Sequence, residues 1–98
     1  MRSNDVTNNR GSGITLFGAD SNLLKTNHVE NNGTDLGDTT DGIRVDGAST
    51  SNQILENHMD NNVTHDCHDD STGPGTGGTA NTWTNDQGST ENRPGLCN

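Results

Sequence analysis

One six-residue pattern recurs along this 98-residue chain and limits what the chain can fold into. The pattern is Asn, any residue, an apolar residue, a polar residue, Asn and Asn. Successive copies begin 23 and then 30 residues apart, and the seven extra residues form an insertion rich in Gly, Thr and Asp. A period of this length is typical of solenoids, in which each repeat packs on its neighbours. The copies are Asn4–Asn9, Asn27–Asn32 and Asn57–Asn62.

Two further stations repeat in the same order and contain alternating apolar residues. Alternation with period two between Gly and Asn predicts strands of two to four residues, and no helical spacing of apolar residues is present. Three such strands cannot enclose a core, so each must pair with its equivalent in the next repeat, which predicts a parallel β-solenoid. The stations are Gly13–Leu16 with Gly42–Val45, Asn22–Leu24 with Asn52–Ile54, and a weaker copy at Asp66–Asp69 and Asn81–Trp83.

Composition alone would favour disorder, and the repeat changes that interpretation. Only 22% of the residues are hydrophobic, Val, Ile, Leu and Phe together number 14, and the net charge is −9. These residues are too few for a layered core but sufficient for three stations in each of three to four coils. The five scattered basic residues argue against a nucleic-acid partner, and no apolar run approaches the roughly 18 residues of a membrane span.

The excess of Asn has a structural explanation in such a fold. Stacked Asn side chains can satisfy the backbone of buried turns and bond to one another along the solenoid axis. The alternative is that these residues bind a ligand. The predicted columns are Asn22, Asn52 and Asn81, and Asn4, Asn27 and Asn57.

These stations resemble those of the right-handed parallel β-helix family, which includes pectate-lyase-like and periplasmic copper-processing-type repeat proteins. The resemblance covers residues 4–86 and implies an all-β fold, a short right-handed parallel β-helix (solenoid) of three to four coils, similar to the C-terminal part of longer members. We predict coils over 1–86, with enlarged loops near 33–40 and 71–78, and a tail over 87–98 that packs on the last coil.

The outer face of one predicted sheet carries the best candidate for a carbohydrate site. Stacking places Thr15, Arg44 and His68 in one outward-facing column. The resemblance implies chemistry on acidic sugars by calcium-binding aspartates and a cationic base, with Arg44 and His68 as catalytic residues and the whole column in contact with carbohydrate. The alternative is a solvated face with ordinary charge pairs.

Calcium is the only cofactor that the sequence suggests. Its candidate ligands are Asp46 and Asp70, which flank the column, and Asp66 and Asp69 beside them. No EF-hand spacing is present, and nothing completes a set of four zinc ligands. In the structural alternative Cys67 fills the inward position of its repeat.

The two cysteines favour an extracellular or periplasmic location. Cys67 and Cys97 are the only cysteines and can form one disulfide bond, which would tie the tail to the last coil. Asn32 and Asn62 stand in the glycosylation acceptor pattern at equivalent stations.

The function predicted from these features is that of an extracellular structural repeat module. Its first coil carries a repeat station close to Met1, so we expect stacking through this uncapped edge, either on another copy or on an upstream part of a longer solenoid. The alternatives are a part of a polysaccharide lyase or epimerase-like enzyme and a glycan-binding module, both with a polysaccharide as partner.

Overall fold

The computed structural model describes residues 1–34 and 40–98 and consists of short parallel strands wound into a solenoid. Each strand is three residues long, and the only helical segment in the described ranges is a 3₁₀ turn at Thr76–Gly78. No described helix is long and apolar enough to cross a membrane. The strands are β1 (Asp5–Thr7), β2 (Ile14–Leu16), β3 (Leu23–Lys25), β4 (His28–Glu30), β5 (Ile43–Val45), β6 (Gln53–Leu55), β7 (His58–Asp60), β8 (Cys67–Asp69) and β9 (Thr82–Thr84).

The strands form three parallel sheets, ordered β1-β4-β7, β2-β5-β8 and β3-β6-β9, so that each sheet takes one strand from each of three coils. This confirms the predicted fold class. The apolar stations stack in the predicted register. Most strands end where the next residue leaves the extended conformation. Six of the nine strands are followed by a residue with φ between 53° and 58°, which ends the extended conformation. The stacked inward residues are Ile14, Ile43 and Cys67; Leu24, Ile54 and Trp83; and Val6, Val29 and Met59.

Asn side chains form three hydrogen-bonded ladders along the axis. In every step, the backbone N–H and the Nδ2 of one side chain both donate to the Oδ1 of the next, and the Nδ2 to Oδ1 distances are 2.8–3.1 Å. Two ladders follow the predicted columns, and the other runs through Asn9. The first ladder is Asn4, Asn27, Asn57 and Asp86; the second is Asn9, Asn32, Asn62 and Asp66; the third is Asn22, Asn52 and Asn81.

The second ladder contradicts the expected glycosylation of Asn32 and Asn62. Their exposed fractions are 0% and 7%, and the Nδ2 atoms to which a glycan would be attached donate hydrogen bonds inside the solenoid. Nδ2 of Asn32 donates to Val6 and Asn62, and Nδ2 of Asn62 donates to Val29 and Asp66. The two side chains therefore have a structural role in the ladder.

The tail continues the path of the solenoid before it closes the C-terminal end. Gln87 and Glu91 pair in parallel with His58 and Cys67, one coil earlier. A disulfide bond joins Cys67 to Cys97, and Leu96, with an exposed fraction of 2%, packs in the core cluster. The tail thus acts as a partial fourth coil. The enlarged loop at 71–78 ends in the 3₁₀ turn. Part of the loop predicted near 33–40 lies outside the described residues.

Candidate functional site

The outer face of the β2-β5-β8 sheet carries a cluster of charged side chains. Thr15, Arg44 and His68 stand in register as predicted, with Thr15 exposed and Arg44 and His68 partly buried. The exposed fractions of the Arg44 and His68 side chains are 22% and 14%. The cluster that surrounds these two side chains is Asp41, Arg44, His65, His68 and Asp70, and we call it the charged cluster.

Asp41 is the centre of the charged cluster, and sequence reasoning missed it. Its side chain is 1% exposed, and its carboxylate lies 3.1 Å from Nη1 of Arg44, 3.5 Å from Nδ1 of His68 and 3.4 Å from Nδ1 of His65. Asp41 precedes β5 at the station that Ser12 and His65 occupy in the neighbouring coils. The backbone of Asp41 donates to Ser12 Oγ, and the backbone of His65 donates to Asp41 Oδ1.

Asp70 closes the cluster on its exposed side. Oδ1 of Asp70 lies 2.9 Å from Nε2 of His68, and Oδ2 lies 3.5 Å from Nη2 of Arg44. Both cationic side chains of the predicted carbohydrate column are therefore paired with carboxylates. Arg44 and His68 are brought together, but each already faces Asp41 and Asp70 rather than open solvent.

The charges in the cluster shift two pKa values in opposite directions. Burial opposes ionisation of Asp41, but its interactions with His68 and Arg44 outweigh burial and lower the pKa of this carboxyl. The interaction with Asp41 is the largest cause that raises the pKa of His68, and Asp70 adds to it against the effect of burial.

The four carboxylates predicted to bind calcium do not form one site. Asp46 accepts hydrogen bonds from Ser49, Gly18 and Ala48 at a corner after β5. These hydrogen bonds, led by that from Ser49, lower the pKa of Asp46.

Two of the other predicted calcium ligands are used inside the solenoid. Asp66 accepts from Asn62 and from the backbone of the tail, and Asp69 accepts from Trp83 Nε1 at 2.8 Å. Their exposed fractions are 2% and 0%. The structure leaves only Asp70 of this set in the charged cluster, because Asp66 and Asp69 occupy ladder and core stations.

The pH dependence of stability provides a test of the buried carboxyls. Burial raises the pKa of Asp86 to about 6, although it accepts hydrogen bonds from Asn57 and Thr84. Between about pH 4 and 6 the folded chain therefore binds more protons than the unfolded chain, and the free energy of unfolding falls as pH rises, by roughly 3 kcal/mol for a shift of this size. The raised pKa of His68 also makes the free energy of unfolding fall as pH rises, but at higher pH. The lowered pKa values of Asp41 and Asp46 stabilise the fold in their ionised forms, and this stabilisation is lost as pH falls.

We expect maximum stability between about pH 4 and 5, measured by urea unfolding across the range. In the Asp86→Asn variant, the decrease in stability between pH 4.5 and 6 should largely disappear, whatever the absolute stability of the variant. An unchanged slope in this variant would show that Asp86 does not titrate in this window.

The fold and the ladders together define a class of protein, the parallel β-helix with stacked Asn corners. The chain belongs to the right-handed β-helix family: the family model described as "Right handed beta helix region" matches residues 1–88. Comparison with curated proteins gave no match, and comparison with solved structures gave none.

Proposed function

We propose that this chain is a structural module that closes the C-terminal end of a parallel β-helix stack, in an extracellular or periplasmic compartment. Its N-terminal edge is the interaction surface, and the occupant is a further β-helix coil that carries Asn at its corners. The observation that carries this proposal is the direction of the three ladders. The disulfide bond between Cys67 and Cys97 supports the oxidising location.

The N-terminal edge has the chemistry of an unfinished ladder. Inside the ladders, each Oδ1 accepts two hydrogen bonds from the preceding ladder member, one from a backbone N–H and one from Nδ2. The Oδ1 atoms of Asn4, Asn9 and Asn22 begin the ladders, and no described residue donates to them. A coil with Asn at the same corners would supply both missing donors at each position.

The C-terminal end is chemically different because the ladders end on aspartates. Asp86 and Asp66 end the first and second ladders, and Nδ2 of Asn81 donates to Asp69 at the end of the third. A carboxylate only accepts, so it needs no further partner below it, whereas an Asn would leave an amide to satisfy. The tail and the disulfide bond then cover this end.

This asymmetry changes the expectation of end-to-end stacking between identical copies. A filament would place the acceptor edge of one copy against the closed end of the next, where the aspartates offer no donors. The proposal therefore keeps the N-terminal edge as the interaction surface and replaces the identical copy by the last coil of another β-helix segment.

The carbohydrate-active alternative has less support. An acidic polysaccharide needs free cationic groups, but Arg44 and His68 are paired with Asp41 and Asp70. The net charge of −9 also repels polyanions. Thr15 is exposed, but its neighbour in register, Arg44, is already paired with Asp41 and Asp70.

The proposal is tested by adding one coil at the N-terminal edge. A second copy of residues 4–26 inserted directly before Asn4 should stack on the first coil and raise the urea unfolding midpoint, since stability in solenoids grows with nearest-neighbour interfaces. The matched control carries Ala in place of the three ladder Asn residues of the added copy. It should be less stable than the Asn version by roughly 3 kcal/mol, about 1 for each lost hydrogen bond. Equal stability of the two insertions would contradict the proposed use of the ladder acceptors.

A further inference from the structure

We propose that Asp41, His65 and His68 form a binding site for a divalent transition metal ion of the zinc type. Each residue offers one ligand atom, and the three atoms lie within 4.8 Å of one another. The proposal is independent of the role of the solenoid ends. It assigns a function to the charged cluster, which the structural role of the module leaves unexplained.

Both imidazoles present the same ring nitrogen to the carboxylate. Nδ1 of His65 lies 3.4 Å from Asp41 Oδ1, and Nδ1 of His68 lies 3.5 Å from Asp41 Oδ2. Zinc ligands at about 2.0–2.1 Å in tetrahedral geometry are separated by about 3.4 Å from one another. The two observed separations, each to a different oxygen of Asp41, are close to this value, and one ligand atom from each residue can be chosen so that all three lie within 4.8 Å.

The two Nδ1 atoms face the Asp41 carboxylate, but neither contact has hydrogen-bond geometry. They are the only buried side-chain nitrogen or oxygen atoms without a hydrogen-bond partner in the described part of the chain. Buried polar atoms are normally satisfied, and an unsatisfied one costs about 1–3 kcal/mol. A metal ion bound between the two imidazoles and the carboxylate would satisfy both.

The surroundings hold the three ligands in place. Asp41 and His65 occupy equivalent stations in neighbouring coils and are joined by the hydrogen bond from the His65 backbone to Asp41 Oδ1. Nε2 of His68 lies 2.9 Å from Asp70 Oδ1. A carboxylate that accepts from the outer nitrogen of a metal-bound imidazole orients the ring and directs its other nitrogen toward the metal ion, and its loss typically weakens binding 10- to 100-fold.

The ligand set determines the class of ion. Two imidazole nitrogens with one carboxylate suit zinc and related transition metals, whereas calcium requires six to eight oxygen ligands. Arg44 is the opposing element, because its Nη1 lies 3.1 Å from Asp41 Oδ2 and its charge repels a cation. Its contact with Asp70 offers the guanidinium an alternative partner when a metal ion is bound.

Isothermal titration calorimetry of the full, unreduced chain with Zn²⁺ at pH 7.5 tests the proposal. We expect one zinc ion per chain, with affinity reduced at least 100-fold in His65→Ala and in His68→Ala, about 10-fold in Asp70→Asn, and increased in Arg44→Gln. Ca²⁺ should not compete. The matched control is His58→Ala, which removes one member of another stacked histidine pair, His28 and His58, with ring centroids 5.4 Å apart against 5.5 Å for His65 and His68.

The outcomes separate the proposal from adventitious binding to an acidic chain. Loss of zinc binding in His58→Ala but not in His65→Ala or His68→Ala would overturn it, as would the absence of zinc binding in the unaltered chain. Circular dichroism identifies any variant that fails to fold. If a histidine variant does not fold, the zinc affinity of Arg44→Gln tests the proposal instead. An affinity above that of the unaltered chain supports it, because a zinc site elsewhere on the chain would not respond to the loss of Arg44.

Discussion

Replacement of Asn57 by alanine is expected to lower the free energy of unfolding by about 4 kcal/mol, because it interrupts the first ladder at its centre. Asn57 is 1% exposed, and its side chain takes part in four hydrogen bonds. Oδ1 accepts from the backbone and Nδ2 of Asn27, and Nδ2 donates to Leu24 and Asp86. Alanine leaves these partners buried without water to replace the lost amide, at about 1–3 kcal/mol for each unsatisfied group.

The matched control is Asn4→Ala, at the exposed end of the same ladder. It removes the bonds that Nδ2 donates to Asn27 and, at the exposed edge, to the Arg2 carbonyl, while the backbone of residue 4 still donates to Asn27 Oδ1. We expect a cost of about 1 kcal/mol or less for this variant in the same urea unfolding experiment. Similar losses in the two variants would mean that the ladder stabilises the fold no more at its centre than at its edge.

Removal of the disulfide bond is expected to be nearly as costly. Cys67 lies in β8, and Cys97 lies 30 residues later in the tail. By the chain-entropy relation, a loop of this length contributes roughly 3–4 kcal/mol, out of the 5–15 kcal/mol typical of a whole domain. The Cys67→Ala, Cys97→Ala double variant should therefore have a much lower thermal midpoint than the unaltered chain.

Removal of the disulfide bond should detach the tail before the coils unfold. Without the disulfide bond, its position depends on hydrogen bonds such as those from the backbones of Cys67 to Thr90 and of Asn98 to Asp86. The control is the unaltered chain under reducing conditions, which should unfold at the midpoint of the double variant. If reduction leaves the midpoint of the unaltered chain unchanged, the disulfide bond does not close this end.

The register of the core could be predicted from the sequence because identical stations must stack. Ile14, Ile43 and Cys67 illustrate this, since a shift of one residue would turn every apolar side chain outward. The column of Thr15, Arg44 and His68 followed from the same argument. The second ladder is formed by the last Asn of each six-residue pattern, so the repeat also predicts it. At Asn32 and Asn62 the glycosylation acceptor pattern gives a competing interpretation.

The charged cluster was harder to predict because its central residue does not repeat chemically. Ser12, Asp41 and His65 share one station before a β-strand, yet they have no side-chain type in common, so the column has no sequence signature. For the same reason, the residues that end the ladders could not be predicted from the repeat. Asp86 replaces Asn at the ladder position of Asn57, whereas Asp66 ends the second ladder from the station that Gly13 and Gly42 occupy in the other coils. An aspartate outside this context suggests a metal ligand.

We propose that the two ends of this solenoid differ, because the N-terminal edge accepts a further coil and the C-terminal end is closed by aspartates, the tail and a disulfide bond. The most direct test compares the urea unfolding midpoint after adding the coil of residues 4–26 before Asn4 with the midpoint after appending the same coil behind Asn98. We predict a higher midpoint for the first addition and no increase for the second. Equal increases, or an increase only for the coil behind Asn98, would contradict the account.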